Sequence, residues 1–407
     1  MSVVALCLSV GLGAVTLEQI PGQAEIGCIE IHGVAAGEFN VELWREGTFN
    51  FVKDKRHPLL EPRQAGVYRN IYAPSAVRMD GGWRLFYGAW DGIDVGYDWI
   101  YSVFTKDFID FGARETIIEN GVFRHVCNVN ALALPSGGFE MMCTVYPDKN
   151  DRNKPAYFTS PDGSAWNGRE APYPADYSDI ITIEGYPDYD NADINGMNVI
   201  FRDGDTLRLY FNDFKNFGNV FRATSTDGKR FEYNGVALEC SLVVNDVKRF
   251  DVDGKHCWLM GLHLNREGLW YSMSPDGDAF EPEQPLLTHA GPEDRYIVAL
   301  GWVTDGNRLL GVLYGAGAVP ELNRNRIFAR WLQKRVVFTS DDGTVCEPTS
   351  AVGPNRQLIH VPDGVDPNGT LQVFAEDGVT ALGAPTPVKN AATTLFRVVA
   401  SNKAEDF

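Results

Sequence analysis

Asp203-Gly204-Asp205, then Leu207-Arg208-Leu209-Tyr210-Phe211, then Val220 to Ser225, closed by Ser225-Thr226-Asp227-Gly228 with Phe231 just beyond: this stretch decides the fold. The Asp-Gly pair supplies the positive φ of a tight hairpin. The runs on either side are aromatic and aliphatic, which suits strands. Ser-Thr-Asp-Gly then turns the chain again. The unit reads as strand, tight turn, strand, loop, strand, second turn, strand.

The same order recurs. The first turn returns as Asp80-Gly81-Gly82, Ser136-Gly137-Gly138, Asp253-Gly254-Lys255 and Asp305-Gly306-Asn307. The second returns as Thr105-Lys106-Asp107, Ser160-Pro161-Asp162-Gly163, Ser274-Pro275-Asp276-Gly277 and Ser340-Asp341-Asp342-Gly343. The third strand of the last unit is expected to run from Ile327 to Ser340. Five units of roughly 50–65 residues, each a four-stranded antiparallel sheet, predict an all-β, five-bladed β-propeller. A pair of β-sandwiches does not explain why both turn types recur in the same order.

The repeat spans 68–348. Residues 25–67 and 349–407 read as further strands, which either close the ring or form a small β-module. Val3 to Leu17 is apolar and is followed by Gly22-Gln23-Ala24, so 1–24 has the outline of a signal peptide without the usual basic start. A pair of buried strands explains this segment equally well. The first reading implies a secreted or periplasmic protein, the second a cytoplasmic one. No later segment is long and apolar enough to span a bilayer.

Formal net charge is −18 over 407 residues. That field repels phosphate backbones, so nucleic acid is excluded as a partner. None of the seven cysteines forms a CxxC pair, and nothing in the pattern calls for a metal or cofactor. Cys127, Cys143 and Cys257 lie in apolar strand patterns and read as small buried hydrophobes. The sequence carries no signal for an oligomeric state.

Strands alternate in direction, so both turn types emerge on one rim. The opposite rim carries the longer loops, where binding and chemistry gather. Its inventory includes Trp90, Asp91 and Tyr97 after the second strand of the first blade. The blade openings add Arg69, Arg124, His125, Asn128, Asp294 and Arg295. Gly66-Val67-Tyr68-Arg69-Asn70 parallels Gly121-Val122-Phe123-Arg124-His125, and Asp294-Arg295-Tyr296 looks like a third copy. These arginines either meet the ligand or brace adjacent blades. Aromatic faces beside amides and arginines suit a carbohydrate partner.

Asn245-Asp246-Val247-Lys248-Arg249-Phe250 resembles the blade openings of five-bladed glycosidases of glycoside hydrolase families 32 and 43. Tyr72-Ala73-Pro74-Ser75-Ala76-Val77-Arg78 is similar to the Asp-Pro-Ser-x-Val-Arg opening of their first blade. The Ser-Pro-Asp-Gly turns resemble their outer-strand turn. The likeness covers Tyr68 to Pro348 and implies a propeller that hydrolyses glycosidic bonds. The general-base Asp of that pattern is Ala73 here, and Asn128 takes the corresponding place in the second blade.

Glycoside hydrolysis generally uses two carboxyl groups, ~6.5–9.5 Å apart for inversion. Asp246 is the expected general acid, because it opens a buried strand where an unpaired carboxylate is costly. Asp193 is the expected base or pKa-raising partner, with Asp294 and Asp91 in reserve. For each, the competing reading is a turn-capping Asp. His125 would replace a carboxylate as acid or bind a metal bridging the channel, or is simply hydrogen-bonded. Trp90 and Tyr97 would form a sugar platform or pack between loops. Two other functions compete: a non-catalytic glycan-binding or scaffold propeller, favoured by the loss of the first-blade Asp, and a sialidase-like enzyme. The adjacent Asp-Gly and the five countable units speak against the sialidase.

Overall fold

The computed structural model describes residues 15–63, 70–90, 97–265, 268–289, 291–321 and 324–400. Residues 1–14 of the segment with signal-peptide character lie outside these. Val15–Ile20 is a strand paired antiparallel with Leu395–Ala400. The chain divides into two compact units, one of 37–47 and 56–330, the other of 1–36, 48–55 and 331–407.

The larger unit is almost entirely β. Five of its sheets start from the strands Ile71–Met79, His125–Ala133, Ile194–Asp203, Val243–Val252 and Tyr296–Asp305. In each, this strand pairs antiparallel with the next one in sequence. The turns between them are the Asp-Gly and Ser-Gly pairs of the sequence. Gly81, Gly137, Gly204, Gly254 and Gly306 all have positive φ.

The five starting strands pack one against the next, and the fifth packs against the first. Apolar side chains interleave between neighbouring sheets. Phe86 of the first meets Phe139 of the second, and Tyr157 and Leu209 share a cluster between the second and third. Tyr210 and Trp258 do the same between the third and fourth. Burying an aromatic or large aliphatic side chain contributes about 1.5–3 kcal/mol, so these layers hold the ring together.

Polar staples repeat around the starting strands. The Ala131 N–H donates to Ser75 Oγ (3.0 Å), and the Ile200 N–H to Asn130 Oδ1 (3.0 Å). The Trp302 N–H donates to Asp246 Oδ2 (2.9 Å). Ring closure is tighter still: a Cβ on Gly301 would lie 2.2 Å from the Pro74 carbonyl oxygen, so only glycine fits there.

Two expectations need correction. The second sheet has three strands, not four; after Trp166 the chain forms a small hairpin instead. It then pairs Tyr173–Pro174 with the first sheet and Thr182–Glu184 with the third. The expected strand from Ile327 to Ser340 is two strands, Arg326–Leu332 and Arg335–Ser340, in different sheets. The chain breaks at Gln333, whose buried amide donates to the carbonyls of Gly353, Pro354 and Arg356. The Ser340–Gly343 turn therefore belongs to the smaller unit, not to the fifth sheet.

In the smaller unit, one sheet contains Val15–Ile20, Leu395–Ala400, Cys28–His32, Arg356–His360 and Pro348–Ala351. A second contains Val345–Cys346, Arg335–Ser340, Gly369–Phe374 and Thr386–Val388. Ile29, Ile31, Phe338, Ile359 and Leu371 build one apolar cluster between them.

Candidate functional site

Each starting strand breaks its register near its first residues. The shifts fall between Tyr72 and Ser75, Cys127 and Asn130, Asn195 and Val199, Val244 and Asp246, and Val298 and Leu300. Ala73, Asn128, Gly196 and Ala299 sit at four of these bulges with φ of 50, 54, 78 and 50°. A bulge inserts one residue, bends the strand and re-aims a side chain. Asn245 stands at the fifth. None of these five positions carries a carboxylate.

The bulges surround a cavity of about 460 Å³. Its walls come from the beginnings of the starting strands and from the ends of the strands they pair with, so it opens on the rim opposite the tight turns. Asn70, Asn128, Asn153, Asn195, Asn265 and Asn325 line it, with Tyr72, Trp90, His125, Cys127, Tyr146, Phe214 and His263. Met197, Val243, Val298, Ala299 and Gly196 complete the wall. Among the described residues no Asp, Glu, Lys or Arg lines this cavity.

Of the residues singled out in the sequence, His125, Asn128 and Trp90 are in the wall. The Trp90 indole N–H is buried and meets no acceptor among the described residues. Tyr97 is exposed and stands edge-on to the His125 ring, 6.5 Å between centroids. Arg124 is exposed beside them, and Arg295 is exposed and lies over the Tyr296 ring. Arg69 and Asp91 lie outside the described residues.

The three acids singled out as catalytic are all outside the wall. Asp246 is buried and accepts from Trp302 N, Val247 N, Lys248 Nζ (2.8 Å) and Asn130 Nδ2 (3.3 Å). The bulge falls at Asn245, which faces His263 of the wall, and puts Asp246 one residue further on, at the inter-sheet staple. Because side chains alternate along a strand, one residue of slip changes the face a side chain serves. Asp294 is fully buried among Tyr314 Oη (2.7 Å), Arg330 and His57. Asp193 accepts from both the main chain and the amide of Asn153, at 3.0 and 2.8 Å, and so orients a pocket asparagine.

Another carboxyl, that of Asp98, also stands behind the wall. Asp98 is buried, and its Oδ2 lies 3.0 Å from His125 Nδ1. Burial raises its pKa, while hydrogen bonds from His125 and Tyr72 act in the opposite sense. The Cys127 thiol is also pushed up, by burial and then by Asp98. His263 is the reverse case. Burial lowers it to about 4, and its ring is held between Asn245 Oδ1 (3.0 Å) and Asn265 (2.8 Å). Asn245 also donates to the Val244 carbonyl, its oxygen faces His263 Nδ1, and the Asn265 side-chain oxygen faces Nε2.

Sequence reasoning quoted Asn70 within a blade opening and assigned the longer loops to this rim without singling out Asn153, Asn265 or Asn325. It missed Tyr72, Tyr146 and His263. The signal available for His263 was a polar residue at the end of an otherwise apolar strand.

No protein-family model matches the chain, and no curated protein matches it in sequence. Solved structures do. A candidate glycosidase from Bacteroides thetaiotaomicron superposes with a TM-score of 0.51 at 14% identity, over 72% of this chain and 99% of that one. The chain is glycoside hydrolase-like in fold. Two further matches have TM-scores of 0.49. The catalytic domain of the family 62 α-L-arabinofuranosidase of Coprinopsis cinerea is 15% identical over 70% of this chain and 98% of its own. A candidate glycoside hydrolase from Parabacteroides distasonis is 12% identical over 70% and 96%.

Proposed function

We propose that the larger unit is a five-bladed propeller of glycoside hydrolase type, and that its central pocket binds and hydrolyses an uncharged glycan. The observation that carries this reading is the wall of six asparagines drawn from all five sheets and the segments beside them, with Trp90, Tyr146 and Phe214 next to them. An amide offers two donors and an acceptor in one plane, the complement of sugar hydroxyls. Aromatic faces suit the C–H-rich faces of sugar rings. In a chain with 54 acidic and 36 basic side chains, a wall whose described residues include no Asp, Glu, Lys or Arg is suited to a neutral ligand.

The test is a glycan panel scored for both binding and product, with wild type beside Asn128→Ala and Asn265→Ala. Each lost hydrogen bond should weaken binding about threefold to tenfold. A wild-type protein that binds no glycan, or variants that bind as tightly as wild type, would remove the reading. A non-catalytic glycan-binding propeller is the second reading. It is favoured by the absence of a carboxylate from the described lining residues, since hydrolysis generally uses two. Binding without product on every glycan would select it.

A further inference from the structure

We propose that His125, oriented by Asp98, is the catalytic proton-transfer residue of this pocket. The proposal rests on the glycan reading above. His125 opens the starting strand of the second sheet and lines the cavity with 23% of its side chain exposed. Asp98 immediately precedes the strand Trp99–Thr105 of the first sheet, and its side chain is 9% exposed. Asp98 engages the ring at Nδ1 with both its carboxylate Oδ2 (3.0 Å) and its main-chain N–H (3.4 Å), which fixes the ring plane. Nε2 is then the nitrogen left to exchange a proton with a ligand.

The groups facing this dyad are few. Tyr97 and Tyr146 flank the imidazole, each 6.5 Å between ring centroids, and Arg124 precedes it in the chain. Tyr72 and Cys127 face Asp98 from the other side. The other titratable side chains of the wall are committed. His263 is engaged at both nitrogens, and the Tyr146 hydroxyl donates to Asp151 (3.2 Å). Among the described residues, His125 alone pairs an uncommitted titrating atom with a place in the wall.

The step balances with water alone. The imidazolium gives its Nε2 proton to the glycosidic oxygen as the bond from that oxygen to the anomeric carbon breaks, both electrons leaving with the oxygen. Water adds to the oxocarbenium-like carbon and returns its proton to Nε2. One water is consumed and the imidazolium is restored.

A protonated acid matters most when the leaving group is poor. The experiment therefore compares nitrophenyl glycosides with methyl glycosides and disaccharides of glucose, galactose, mannose, xylose and arabinose. Wild type, His125→Ala, His125→Gln and Asp98→Asn are assayed after thermal melts establish which are folded. Loss of the acid should lower kcat on the unactivated substrates about 10²- to 10⁴-fold. The loss on nitrophenyl glycosides should be far smaller, with glycan binding kept and added imidazole restoring part of the rate. Asp98→Asn, a positioning change, should lower kcat and displace the pH profile with KM held. An equal loss on both substrate classes, or wild-type rates in the His125 variants, would overturn the assignment. So would a wild type that binds glycan and hydrolyses none, although the glycan reading then stands. A wild type that binds no glycan removes both.

Discussion

Asp246 accepts two main-chain N–H groups, one amide and one ammonium while 1% exposed. Its acceptor positions are taken up inside the ring, where breaking a buried pair leaves the partner charge uncompensated. Asp246→Ala should therefore cost about 3–5 kcal/mol in a urea titration and leave glycan affinity of the folded fraction unchanged. A variant of full stability that has lost product formation would return Asp246 to the chemistry. His263 sets a second expectation. Its pKa falls from 6.5 to about 4 on folding, so the folded state disfavours the charged ring. Stability from this group is complete above pH 6.5 and is lost as pH falls toward 4, by about 3 kcal/mol in all. His263→Gln should flatten that limb of the stability–pH curve. An unchanged limb would place the acid sensitivity elsewhere.

The turns show how far local chemistry alone fixes an element. Thr105, Ser160, Ser225 and Ser274 each accept the N–H three residues on, at 2.7–2.9 Å. Asp162, Asp227 and Asp276 accept the next N–H groups, which hold their carboxyls below the usual range. Gly228 has φ +74°, and a Cβ there would stand 2.3 Å from the Tyr157 ring. Gly204 has φ +59° and nothing within 4 Å. Gly228→Ala should cost about 3 kcal/mol from strain and overpacking together, Gly204→Ala only about 1–2 from strain. Equal losses in denaturant titrations would show that the Tyr157 contact yields freely. These turns were legible in the sequence because Asp-Gly and Ser-Gly pairs supply the positive φ that a tight hairpin turn requires. The same generality misled at Ser340–Gly343, since that motif closes any antiparallel hairpin and here closes one in the other unit. The bulges were illegible for the opposite reason. Adding one residue leaves the apolar pattern of Val243–Val252 intact, so Asp246 could not be told from Asn245 until the register was in hand.

At the scale of the molecule, the described residues of the pocket wall include no Asp, Glu, Lys or Arg in a chain of net charge −18. Its asparagines are scattered from Asn70 to Asn325, and an amide has no spacing rule comparable to that of metal ligands. Only closure of the ring gathers them, which is why their spacing along the chain carries no signal. The arrangement makes a claim about the ligand that ionic strength can test. The Debye length is about 10 Å at 0.1 M salt and 3 Å at 1 M, so charge–charge attraction fades over that range. Hydrogen bonds between amides and sugar hydroxyls involve no net charge and are not screened in this way. The Kd of a bound glycan should then change less than about twofold between 0.1 and 1 M salt. A uronate-bearing or sulfated glycan would behave differently. The acidic chain repels it at low salt, so its binding would strengthen as salt rises. Isothermal titrations across the salt series separate these cases. A Kd that moves tenfold in either direction would mean that charged groups, not the asparagine wall, select the ligand.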